Sequence, residues 1–205
     1  MDALTSTLST LRIRREDSTK LFYKRYPYRV VLDCFKIKAA RFQISEYYAD
    51  REDVKFRKQG GFFNCYFDDE SEANRFVAKH SSYVVSVTMP SSPEVLQAIS
   101  DDTRIEVRDT LFWNKYRWAA VCKSLDEEQI EELRDWLNSY KEQCGEVNDD
   151  KIQFAYSSSS PRIYFTDEDD LFMFKFSFFN RISRLEKVLL KKEIADEQFI
   201  AQGTH

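Results

Sequence analysis

The sequence predicts an α+β protein made of two tandem copies of one unit, and three observations carry that expectation. The first is an internal echo. Cys65 to His80, CYFDDESEANRFVAKH, laid over Ile163 to Phe178 matches Tyr66 with Tyr164, Phe67 with Phe165, Asp69 with Asp167, Glu70 with Glu168 and Phe76 with Phe174. The second is a pair of short aromatic segments, Leu21-Phe22-Tyr23-Lys24-Arg25-Tyr26 and Leu111-Phe112-Trp113-Asn114-Lys115-Tyr116, in the same chain order as the first echo. The third is the succession of strand and helix patterns in each half. It fits a split β-α-β plan, the ferredoxin-like sandwich, with an antiparallel sheet and helices on one face. The boundaries expected are an N-terminal arm over 1–20, a first unit over 21–89, a linker with a short helix over 90–108, a second unit over 109–181, and a C-terminal helix and tail over 182–205.

Residues 1–10 are rich in Ser and Thr and frayed. Leu11 to Lys24 alternates apolar and basic residues too weakly for an assignment. Pro27 then marks entry into Tyr28–Phe35, YRVVLDCF, a strand by its β-branched and aromatic content. Lys36 to Tyr48 fits a strand or a short helix equally. Arg51 to Gln59 is charged, and Gly60-Gly61 is a turn signal. Phe62–Phe67 is a strand. A helix follows, with Asp68 as N-cap, Asp69 and Glu72 as a capping box, and Ala73, Phe76, Val77 and His80 on one face. Tyr83–Met89, YVVSVTM, is a strand.

Ser92 and Pro93 open a short helix to about Ile99, and Arg104–Val107 reads as a strand. Arg117–Lys123 is the second unit's first strand. Ser124 and Glu127 box the next helix, whose apolar stripe is Ile130, Leu133, Leu137 and Tyr140, with Gly145 as C-cap. Lys151–Tyr156 and Arg162–Phe165 are strands. The alternation Phe172-Phe174-Phe176-Phe178 has a strand's period, but Leu171, Phe174, Lys175 and Phe178 also form a helical row. The match to Asp68–His80 favours helix through about Ser177. Ile182, Leu185, Leu189 and Ile194 read as a terminal amphipathic helix.

Composition bounds the function. A chain of 205 residues with 42% hydrophobic and 32% charged content is globular. It has only 4 glycines, against a typical ~7%, which leaves little room for Gly-cradled phosphate loops. Cys34, Cys65, Cys122 and Cys144 lack CxxC spacing and read as buried free thiols. The N-terminus has no apolar core before its charges, and Phe172–Phe179 is interrupted by Lys175. The expected setting is therefore a cytoplasm, or a host cytoplasm or virion, without membrane insertion. Leu11 to Gly60 holds 14 Lys+Arg and 7 Asp+Glu, a balance of +7 in a chain of −4, so the remainder carries −11. Such asymmetry suits a polyanion or a contact between subunits.

His80 and His205 are the only histidines, and no HExxH, zinc-type Cys/His spacing, Walker A or GxGxxG occurs. No catalytic set, metal ligands or cofactor is therefore expected. Tyr66-Phe67-Asp68-Asp69 resembles the YxDD box of reverse-transcriptase palms, where carboxylates hold two metals. Its spacing from Asp33 is too short for a palm, and a helix cap explains it better.

Gly61 to Val77, GFFNCYFDDESEANRFV, resembles the third strand and second helix of an RNA-recognition motif, which implies exposed rings that stack on bases. Asn64 stands where that family places an aromatic and Phe63 where it places a small residue, leaving Phe62, Tyr66 and Phe67. The basic segment adds Lys24, Arg25, Arg29, Lys36, Lys38 and Arg41 interleaved with Tyr23, Tyr26 and Tyr28, the composition of a single-strand groove. The acidic turn, the FKF helix and the Phe/Tyr/Lys/Asp-rich, Gly-poor composition are similar to small phage- or virus-encoded proteins. That resemblance implies a non-enzymatic virion or accessory protein acting through a protein partner or self-association, with single-stranded RNA or DNA binding as the alternative. The rings Phe172, Phe174, Phe176, Phe178 and Phe179 exceed what one sheet face needs and are the expected protein interface.

Overall fold

The structure, a computed structural model, describes residues 13–37, 44, 46, 48, 50–144, 150–155 and 161–202. The chain forms two compact units, Met1–Thr103 and Arg104–His205. The first contains β1 (Arg14–Ser18), β2 (Tyr28–Asp33), β3 (Val54–Gln59), β4 (Phe62–Phe67), α1 (Glu70–His80), β5 (Val84–Pro90) and α2 (Pro93–Asp101). The second contains β6 (Ile105–Arg108), β7 (Trp118–Cys122), α3 (Glu127–Cys144), β8 (Ile152–Ala155), β9 (Arg162–Phe165), α4 (Glu168–Phe178), β10 (Ile182–Leu190) and α5 (Lys191–Gln202).

Strand order is β1-β5-β2-β4-β3 in one sheet and β6-β10-β7-β9-β8 in the other. Without its first strand, each is the ferredoxin-like arrangement expected from the duplicated pattern. The added strand makes both sheets mixed rather than antiparallel, because β1 runs parallel to β5 and β6 parallel to β10. So residues assigned to the N-terminal arm and to the linker supply edge strands. The segment 182–190 is the strand β10, not a helix, and α5 begins only at Lys191. The charged run Arg51 to Gln59 contains β3, paired with β4 across Gly60-Gly61, where Gly60 takes the left-handed conformation (φ 58°).

Alternation along each strand separates two faces. In the first unit Val30, Leu32, Cys65, Phe67, Val87 and Met89 form the core with Phe76 and Val77 of α1. In the second, Trp118, Ala120, Cys122, Ile163 and Phe165 meet Leu133 and Leu137 of α3 and Phe174 and Phe178 of α4. Each sheet's other face is partly roofed by the echoed aromatic loop. Phe22, Tyr23 and Tyr26 pack on Tyr66, and Phe112, Trp113 and Tyr116 pack on Tyr164, with ring centroids 5.0–6.3 Å apart. Each loop closes with a Phe–Tyr bridge, Phe22 to Tyr26 and Phe112 to Tyr116. Each also holds two consecutive left-handed residues, Tyr23 and Lys24 in one and Trp113 and Asn114 in the other. The same uncommon backbone at matched places is how the sequence echo expresses itself in structure.

Helix starts follow capping chemistry, at slightly shifted residues. Asp69, not Asp68, caps α1, its carboxylate accepting from the Glu72 N–H at 2.9 Å. Asp126 and Gln129, rather than Ser124 and Glu127, form the reciprocal box of α3, at 2.9 and 3.3 Å. Ser92 caps α2 with Pro93 in its first turn, as expected. The segment Lys36 to Tyr48 lies largely outside the described residues, though Ile37, Ile44 and Tyr48 are buried; Gly145 also lies outside them. Among the described residues no helix is long and apolar enough to cross a membrane.

Candidate functional site: the outer face of α4

Asp167 starts α4, its carboxylate accepting from the Asp170 N–H at 3.0 Å, and three acids fill the first turn where the helix dipole favours them. Asp170 is itself buried and accepts a hydrogen bond from the Tyr140 hydroxyl, while burial pushes its carboxyl above the ordinary value. The inner face is Leu171, Phe174 and Phe178, spaced i, i+3 and i+7. Phe174 stacks against Phe165, Trp136 and Phe178 with centroids at 5.5, 5.4 and 5.1 Å.

The outward side of the helix also carries large apolar side chains. Phe172 is 62% exposed, Met173 48%, Phe176 81% and Phe179, just past the helix, 69%. At roughly 200 Å² per large side chain, these four leave on the order of 500 Å² of apolar surface in water. Phe172, Phe176 and Phe179 sit at i, i+4 and i+7, one row along the helix, with Met173 beside it. The five rings expected as an interface thus divide: Phe172, Phe176 and Phe179 face solvent, and Phe174 and Phe178 belong to the core. Met173, which no aromatic pattern reveals, joins the exposed row.

The duplication supplies an internal comparison. In α1 the residues matching Phe172, Met173, Phe176 and Phe179 are Asn74, Arg75, Ala78 and Ser81, while Phe76 matches the core residue Phe174. Buried Glu72, Ala73 and Phe76 match buried Asp170, Leu171 and Phe174, whereas buried Val77 matches exposed Lys175, and on the outer face small or polar side chains give way to large apolar ones. Exposed Glu168, Asp169 and Lys175 border the row with both signs of charge.

The basic segment does not assemble the groove its composition implies. Tyr26, Tyr28 and Tyr66 are 6%, 4% and 5% exposed, because large rings in a small two-layer unit are needed for its core and loop roof. Tyr28 and Tyr66 also point to opposite faces of the sheet. Of the candidate rings Tyr23, Tyr26, Tyr28, Phe62 and Tyr66, only Tyr23 and Phe62 stay open, and Phe35, 74% exposed, is an open ring outside that set. Arg25 is ion-paired with Asp68 at 2.7 Å, and Arg29 with Glu16 at 3.1 Å while also bonding Thr88. Lys24 and Lys36 are exposed, and Lys38 and Arg41 lie outside the described residues. Asp68 is thereby an ion-pair partner for Arg25 rather than the cap of α1.

Two carboxylates on the outer sheet faces are paired with arginines. A depression of about 380 Å³ on the first sheet is lined by Arg14, Glu16, Arg29, Phe62, Asn64 and Ser86 among others, with Glu16 already between its two arginines. At the matching place in the second unit, buried Glu186 accepts from Arg162 and Arg184 at 3.2 and 2.8 Å. His80 stacks on Phe76 at 4.6 Å, and burial lowers its imidazole pKa. Among the described residues no group of three His, Cys, Asp or Glu side chains is placed to hold a metal ion.

No family model matches the chain, and no curated protein matches it. Among solved structures it is similar to the small subunit of acetolactate synthase from Thermotoga maritima. Identity there is 11%, with 78% of this chain and 91% of that one covered and a TM-score of 0.25. A likeness that distant transfers no function.

Proposed function

We propose that this chain is a non-enzymatic interaction protein that docks on another protein surface through the outer face of α4. The carrying observation is the contrast between the two copies of one helix, polar outside in α1 and Phe172-Met173-Phe176-Phe179 in α4. An apolar outward stripe on a helix is normally packed against another surface, and a contiguous apolar patch of this size on a monomer is often functional. The mixed-sign rim of Glu168, Asp169 and Lys175 supports a protein partner, since interfaces carry an apolar centre inside a polar border. The Gly-poor, aromatic-rich composition supports placing the chain among virion components or accessory proteins of a phage or other virus. Single-strand nucleic-acid binding keeps too few open rings and unpaired cations to compete.

The test transplants the polar copy onto the apolar one: Phe172→Asn, Met173→Arg, Phe176→Ala and Phe179→Ser together. In dilute solution, where the face is uncovered, we expect the wild type to bind a hydrophobic-surface dye and the variant not to. The melting temperature should stay within a few degrees, since the changed side chains are largely solvent-facing. Equal dye binding by both proteins would remove the proposal.

A further inference from the structure

We infer that the occupant of the outer face of α4 is a second copy of this chain, with the two α4 helices packed antiparallel across a twofold axis. The inference rests on the docking reading above and names its partner.

The row itself is self-complementary. Phe172, Phe176 and Phe179 run along one side of a convex helix, with Met173 beside them. An antiparallel twofold passing between Lys175 and Phe176 sets Phe172 of one copy beside Phe179 of the other at both ends. It also brings the two Phe176 rings together near the centre, with the two exposed Lys175 side chains flanking the axis on the other edge of the row. The same residues then serve both sides, as an isologous contact requires. Ridges made by side chains four apart fit the grooves of an identical helix.

The acidic first turns favour this orientation. Glu168 and Asp169 lead the helix and are exposed, with Lys175 at its middle. A parallel pair would place two acidic first turns side by side, whereas an antiparallel pair separates them and opposes the helix dipoles. Area agrees. A standard interface buries about 800 Å² per partner, and homodimer interfaces are about 65% apolar, so each partner contributes roughly the ~500 Å² of apolar surface found here. Finally, the matching helix α1 carries Asn74, Arg75, Ala78 and Ser81 instead of rings. Between the two matched helices only one such row exists per chain, which closes the assembly at two copies rather than extending it into a filament.

Sedimentation velocity and light scattering of the full chain, from micromolar to sub-millimolar concentration, test this. The expected result is a monomer–dimer equilibrium whose dissociation constant rises at least about 30-fold in Phe176→Asp, the loss typical of a central interface anchor. Because the row is solvent-facing in the monomer, that variant should keep the wild-type circular dichroism. Lys175→Cys, beside the axis and outside the apolar row, should be joined into a covalent dimer by a short bis-maleimide much faster than Lys24→Cys, and it leaves the anchoring rings in place. A dimer unaffected by Phe176→Asp, or equal cross-linking at the two positions, overturns the interface. A wild type that stays monomeric throughout overturns the second copy. In that case the dye comparison above separates the two ideas: dye binding lost on transplantation leaves α4 as a docking face for a different protein, and unchanged binding removes that reading too.

Discussion

Phe174 and Phe176 stand two residues apart on α4 and meet opposite surroundings, the first fully buried among Phe165, Trp136 and Phe178, the second 81% exposed. Truncation should expose that difference. Phe174→Ala removes a packed ring and leaves a cavity, an expected loss of about 3–5 kcal/mol in urea unfolding. Phe176→Ala should change stability by no more than about 0.5 kcal/mol. Losses of similar size would mean the helix is rotated from the orientation described. In the sequence these residues look alike, because an alternation of Phe with other residues hides a helical period. The echo with Phe76 identified Phe174 as matched to a helix residue, but assigning Phe178 to the core and Met173 to the surface required the helix axis to be placed. Tyr26, Tyr28 and Tyr66 illustrate the same limit: proximity of rings and cations in sequence does not distinguish a wet groove from a core bordered by ion pairs.

At the scale of elements, strands with strong β-branched content and helices with cap residues were legible, and β10 was not. Ile182 and Leu185 lie on one face three residues apart, which reads as helix. The register shifts between Ile182 and Arg184, a bulge whose extra residue changes the strand's phase. The matching shift in β5 falls where Val84 and Ser86 pair with Leu32 and Val31. β1 was invisible for another reason: RREDS is an edge strand with no apolar period, its charges facing water or pairing with each other. The end of β10 is fixed by Glu193 of α5, which accepts from the Leu190 N–H at 3.0 Å and from Arg117 at 2.6 and 3.0 Å. The Arg117 guanidinium holds the Glu193 pKa at about 2, below its ordinary 4.5. A depressed carboxylate pKa stabilises the fold above the unfolded value and ceases to do so as pH falls toward the folded one. Arg117→Met should therefore cost on the order of 1–2 kcal/mol at pH 7, the full linkage being reduced by partial solvent screening. The cost should shrink as pH falls from about 4.5 toward 2. Urea titrations of both proteins at neutral and acid pH would show this, and a difference independent of pH would place the effect elsewhere.

At the scale of the molecule, the duplication is the frame and its asymmetries carry the function. Both units share strand order, the roofing loop and the capped helix over the sheet. That frame was readable because cores demand periodic apolar residues and caps demand acids at fixed places. The proposed docking face was only half readable. Ring excess signals a surplus over the core, yet the solvent-facing members emerge only when two equivalent helices are compared. The most direct measurement is hydroxyl-radical oxidation of Met173, whose side chain is 48% exposed in the single chain, followed by mass spectrometry at low and high protein concentration with exposed Tyr23 as reference. A covered α4 face predicts ready oxidation of Met173 in dilute solution and strong protection in concentrated solution, with Tyr23 unchanged. Equal oxidation of Met173 at both concentrations would contradict docking of this face on a second copy.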